Sequence, residues 1–139
     1  MKKGFTILEI LFGIAILAIA ITIVALSFSK INQSAALEKS VDTAISVFNE
    51  ARSLTLASKS ATSFGVRIES TELVLVPTNT ITTFNNLVGV RNININGGST
   101  VTFKRLTGAT DNIGSFEIYL KDAPTVYRIV TITATGITE

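Results

Sequence analysis

Cysteine and histidine are both missing from this sequence, and only two of its 139 residues are proline. Without histidine or cysteine, no Ser-His-Asp or Cys-His nucleophile can be assembled. An ordinary zinc site has no ligands either. No disulfide can staple an exported domain, a device many small secreted domains use. Any folded domain must therefore hold through its core, a long helix, or neighbours in an assembly. The aspartates and glutamates are scattered, and no phosphate-cradling P-loop or dinucleotide-binding glycine pattern is present. The expectation is a protein with no catalytic residues, no cofactor and no metal. Charge is also scarce. The net value is +2, and Lys2 and Lys3 supply all of it, leaving ten basic and ten acidic residues over the rest of the chain. That balance is no nucleic-acid footprint. The prolines stand at 77 and 124, and neither proline nor glycine interrupts Ile14 to Ala61.

What is present is concentrated at the start. Met1-Lys2-Lys3-Gly4 precedes a run of mostly apolar residues from Phe5 to Phe28, about two dozen and long enough to span a bilayer as a helix. The lysines favour a cytoplasmic N-terminus. One carboxylate, Glu9, sits inside the run. A lone carboxylate in hydrocarbon is costly and points to a function and a partner. A general secretory signal is cut after its apolar stretch. Here that stretch is too long, and Ser27-Phe28-Ser29-Lys30 is a poor small-x-small site. The small residue Gly4 precedes the run, so cleavage there would leave the hydrophobic segment at the head of the mature chain. A plain signal anchor with a stray glutamate is the simpler alternative.

Lys-Lys-Gly followed by Phe-Thr-Ile-Leu-Glu, with Glu9-Ile-Leu-Phe-Gly-Ile-Ala-Ile-Leu-Ala-Ile-Ala20 behind it, resembles the type IV pilin-like family, whose precursors carry a class III signal peptide. The resemblance implies cleavage between Gly4 and Phe5 by prepilin peptidase and N-methylation of Phe5. It implies that Glu9 pairs with the N-terminal amine of a neighbouring subunit during assembly. A cationic amine at the same depth offsets the cost of the buried carboxylate. Most major pilins carry a proline in the middle of this helix. Leu26 stands there, so the usual kink is not implied.

Beyond the apolar run a helical stripe persists. Leu37, Val41, Ala44, Phe48 and Ala51 recur at spacings of four and three, with Ile45 and Leu54 beside them. The reading is one continuous helix of about 55 residues and about 80 Å, with two separate helices as the alternative. After Lys59 the period becomes two. Strands are expected at Phe64 to Ile68, Glu72 to Val76, Leu87 to Asn96, Thr100 to Leu106, Ser115 to Leu120 and Val126 to Thr133, with a late turn at Gly136 and a stub at Ile137. Asn96-Gly97-Gly98 predicts a hairpin joining the third and fourth of these. Asn92, Asn94 and Asn96 would share one solvated face. Asp111 and Asn112 offer too few carboxylates for calcium.

Helix first and strands after give an α+β fold: a long N-terminal helix packed on an antiparallel β-sheet domain of about 6–7 strands. The expected parts are residues 1–4, a prepilin leader; 5–29, a transmembrane and assembly helix; 30–60, its amphipathic continuation; and 61–139, the β-rich head. Phe48-Asn-Glu-Ala-Arg-Ser-Leu-Thr-Leu-Ala57 and the closing Thr135-Gly136-Ile137 resemble, more weakly, H-type pseudopilins and related minor pilins. Some of those bind DNA through arginines beside that glycine. Here Ile137, Thr138 and Glu139 follow Gly136, so no nucleic-acid partner is implied. The implied role is a structural subunit of a type IV pilus or pilus-like filament. Its partners would be itself and other pilins, prepilin peptidase, a membrane assembly platform, and the lipid bilayer before assembly. It would leave the cytoplasmic membrane for an extracellular pilus or a periplasmic pseudopilus. The alternatives are a pseudopilin of a type II secretion system and, ranked lower, a membrane-anchored adhesin or binding module that never polymerises.

Overall fold

The computed structural model describes residues 5–58 and 62–138, with the backbone alone at 25–27 and 138. The expected leader and the expected helix end at 59–60 lie outside these residues. Among the described residues one helix, α1 (Ile7–Ala57), precedes eight strands: β1 (Gly65–Ile68), β2 (Glu72–Val76), β3 (Thr80–Thr83), β4 (Val88–Ile95), β5 (Thr100–Thr102), β6 (Gly114–Leu120), β7 (Tyr127–Thr133) and β8 (Gly136–Thr138). The helix is a single element of 51 residues and passes Leu26 without a break. By compactness the chain divides into Met1–Ser34 and Ala35–Glu139.

In the second unit the strands form two antiparallel sheets, ordered β3-β2-β1-β5 and β4-β6-β7-β8. The fold is α+β as the sequence implies, with two sheets in place of one and eight strands in place of six or seven. The helix covers them with the stripe its period predicts. Leu37, Val41, Ala44, Phe48 and Ala51 are all buried, and Ile45 and Leu54 pack at the margin. Val66, Ile68, Leu73 and Leu75 from the first sheet join the same core, as do Val88, Phe116, Ile118, Leu120, Val130 and Ile132 from the second. Phe48 stacks on Phe116 at 6.1 Å between ring centroids. At the helix end the buried Thr55 hydroxyl donates to the Ala51 carbonyl at 2.8 Å and accepts the Phe64 amide at 2.9 Å. This one side chain ties the last turn of α1 to the residue before β1.

Three details differ from the sequence reading. The first is β3, which the alternation did not reveal. Its four residues, Thr80-Ile81-Thr82-Thr83, bury no side chain fully and pair only with β2, so they carry no inside-outside pattern. Asn79, in the left-handed region at φ 56°, makes the turn into it.

The second is the Asn96-Gly97-Gly98 turn, which closes no hairpin. β4 pairs with β6, and β5 pairs with β1, setting Val101 opposite Val66. Gly97 and Gly98, both at positive φ, pass the chain from one sheet to the other. Asn112 clamps that crossing: its Nδ2 donates to the Asn96 carbonyl at 2.8 Å, and its Oδ1 accepts the Thr102 amide at 3.1 Å. The strand expected to reach Leu106 stops at Thr102, and Leu106 is left 95 % exposed.

The third is a β-bulge in β4 between Arg91 and Asn94, with Asn92 at φ 51°. One extra residue reverses which parity faces inward. Val88 and Val90 are buried before it, Ile95 after it. Asn92, Asn94 and Asn96 are all exposed, but the bulge prevents them from forming one regular face.

On the outer side of the second sheet, Arg91 is held on several sides. Its Nε donates to Glu117 Oε2 at 2.8 Å and its Nη2 to the Pro124 carbonyl at 3.0 Å. Its guanidinium lies 4.7 Å from the Tyr119 ring centroid and 5.5 Å from that of Tyr127. Tyr119 also lies over Gly89, where an added Cβ would come within 3.0 Å of the ring. Hydrogen bonds from Asn92 and then Arg91 hold the Glu117 carboxyl below the ordinary carboxylate value of 4.5.

Two outcomes follow for the head. Phe48→Ala removes the largest ring of the helix stripe and should cost about 3–5 kcal/mol of stability, read by denaturant titration of the tyrosine signal of the full chain in detergent. Glu117 titrates lower when folded than when unfolded. Its contribution is therefore complete above the ordinary carboxylate value and is lost as pH falls through the lowered one. Glu117→Gln should weaken the head at neutral pH and reduce the loss of stability on acidification; an unchanged acid limb would contradict the role given to this carboxylate.

Candidate functional site

The first described residue, Phe5, is exposed, and Thr6 follows it outside the helix. Thr6 caps α1. Its hydroxyl accepts the Glu9 amide at 3.3 Å, and its carbonyl accepts the amides of Glu9 at 3.1 Å and Ile10 at 3.2 Å. Glu9 thus occupies the third position of the first turn, where exposed amides and the positive end of the helix dipole favour an anion. The Thr-x-x-Glu spacing is that of a capping box. It stands in the sequence as Thr6-Ile7-Leu8-Glu9, and the motif reading passed over it by treating Glu9 alone. Gly4, the other expected processing residue, lies outside the described residues.

Every side chain from Phe5 to Val24 is exposed. Apart from Thr6, Glu9 and Thr22 these residues are apolar or glycine on all sides of the helix. Thr22 satisfies its hydroxyl within the helix by donating to the Ala18 carbonyl at 2.8 Å. A helical segment that is apolar and exposed on all sides requires lipid or other helices around it. Among the described residues α1 is the one helix long and apolar enough to cross a membrane. Gly13, Ala15, Ala18 and Ala20 are the small residues between Phe5 and Val24, and a Cβ built on Gly13 meets no described atom within 4 Å.

The head offers no competing centre among the described residues. No group of three or more His, Cys, Asp or Glu is placed to hold a metal ion. Asp111 pairs with Lys104 Nζ at 2.7 Å, and Asn112 is committed to the inter-sheet clamp, so that loop builds structure. A cavity of about 230 Å³ lies between Lys39, Ser40 and Thr43 of the helix and Thr83, at the end of β3, with Phe84 and Asn85 after it. It contains one amine and no acid-base pair.

Neither a curated protein nor a solved structure matches the chain. Residues 1–25 match the family model of the prokaryotic N-terminal methylation motif. Two lysines, a glycine, a capped helix start with a carboxylate in its first turn, and an exposed apolar helical segment coincide over that span, so residues 1–25 carry the N-terminal methylation motif, the class III signal peptide of type IV pilins.

Proposed function

We propose that this protein is a structural subunit of a type IV pilus or pilus-like filament, processed by prepilin peptidase and assembled through its N-terminal helix. The observation that carries the reading is the coincidence of the N-terminal methylation motif with a helical segment whose apolar side chains, from Phe5 to Val24, are all exposed. In this reading the peptidase cuts between Gly4 and Phe5, and Phe5 is then N-methylated. The helix waits in the cytoplasmic membrane with the head outside the cytoplasm. It then leaves the lipid for a bundle of like helices in a pilus or pseudopilus. The work would come from a separate ATPase on the assembly platform, since this chain carries no nucleotide motif.

Glu9 has two physical tasks in such a mechanism. Cleavage would place a cationic amine at the start of α1, where the helix dipole repels it, and a first-turn carboxylate offsets that repulsion. In hydrocarbon the same carboxylate is costly alone, and the amine of a neighbouring copy neutralises it. Glycine inside a helix costs about 1 kcal/mol relative to alanine, and among the described residues no atom lies within 4 Å of a Cβ built on Gly13. Close approach of a second helix accounts for it. The role is structural, with no reaction assigned.

Glu9→Gln keeps a polar side chain in the first turn but removes the charge. It should leave membrane insertion and processing intact and abolish incorporation into filaments, scored by sheared surface fractions and electron microscopy. Normal filaments from this variant would sink the pairing role. Gly4→Val should block cleavage, leaving a product that intact-mass measurement shows to retain residues 1–4; a normally shortened chain would refute processing at this site.

A further inference from the structure

We propose that Asn96 is a site of spontaneous deamidation in the folded head, with the amide nitrogen of Gly97 as the attacking group. Asparagine is among the thermolabile residues, and the turn between β4 and β5 exposes both Asn96 and Gly97. The backbone around Asn96 is pinned: its amide donates to the Ile113 carbonyl at 2.9 Å, and its carbonyl accepts Asn112 Nδ2 at 2.8 Å. The two groups that must react are not. Among the described residues the Asn96 carboxamide has no hydrogen-bond partner, and neither has the Gly97 amide. Gly97, at φ 93°, brings no side chain to shield its nitrogen. The other asparagines of this strand are worse placed. Asn92 and Asn94 precede the β-branched Ile93 and Ile95, and Asn92 is also engaged with Glu117.

The reaction needs only water. The Gly97 nitrogen attacks Asn96 Cγ and forms a new C–N bond. The Cγ–Nδ2 bond breaks, and ammonia leaves with the proton that the Gly97 amide gave up. Water then opens the resulting five-membered imide at either carbonyl, yielding aspartate or isoaspartate. No electron changes hands. Both products add one negative charge to the turn. The isoaspartate route also lengthens the backbone at the point Asn112 clamps, where a Cβ on Gly97 would already lie 2.7 Å from Asn112 Nδ2.

The test is incubation of the folded full chain in detergent at mildly alkaline pH, followed by tryptic mapping. Cleavage after Arg91 and Lys104 places Asn92, Asn94 and Asn96 in one peptide, so fragment ions compare them internally. The expected result is amide-to-acid conversion at Asn96 severalfold faster than at its two neighbours, with methyl transfer by an isoaspartate methyltransferase marking the isomerised product. Asn96→Gln, which would need a six-membered imide, should abolish both signals. Equal rates at the three asparagines, or conversion seen only after the chain is unfolded in urea, would overturn the proposal.

Discussion

Burial of one helical stripe, Leu37 to Ala51, organises the head, because neither four-stranded sheet can cover its own inner face. Each sheet buries alternate residues and leaves a layer that something else must close. The helix and the two sheets share a single core that runs from Val41 and Phe48 to Phe116 and Val130. With no cysteine in the chain, this packing carries the whole burden that a disulfide framework bears in many exported domains. Thr55 at the helix end and Asn112 at the sheet crossing add polar ties where the apolar contacts thin out.

The other end of the same helix obeys a different rule. Between Phe5 and Val24 the sequence offers no polar face, so no amphipathic solution exists within one chain. The surrounding medium has to supply the apolar partner, first as lipid and, in the proposed assembly, as further copies. Thr6 and Glu9 bring polar chemistry to the backbone at the start of that segment, as Thr22 does near its other end. A threonine-capped helix start puts oriented amides and a carboxylate within one turn. That is a compact set of charges for a location where charge is costly.

Much of this was legible in the residues. The helix stripe showed because its period survives the change from apolar to polar surroundings. β6 and β7 showed because one face of each is buried while the other is more exposed. What stayed hidden was the destination of strands. An Asn-Gly-Gly turn states that the chain reverses or bends; it does not state which sheet receives the next strand, and here β5 crosses to β1. The bulge at Asn92 was hidden for a related reason, since asparagine tolerates the left-handed region without requiring it. β3 lacks any burial contrast to betray it. At the N-terminus the glycine, the lysines and the lone glutamate were readable as a motif. The capping role of Thr6 was written in the Thr-x-x-Glu spacing and emerged only with the helix boundary.

The exchange of β4 and β5 between the sheets governs how the head can form. Sheet one uses strands one, two, three and five; sheet two uses four, six, seven and eight. Neither is contiguous in sequence, and the first sheet is complete only after the chain has passed through β4 of the second. β5 must reach back across β4 to β1, and β6 must reach back across β5 to β4. Such interleaving raises the separation between partners and slows folding. It also means that no single cut in the chain leaves each sheet whole in its own piece.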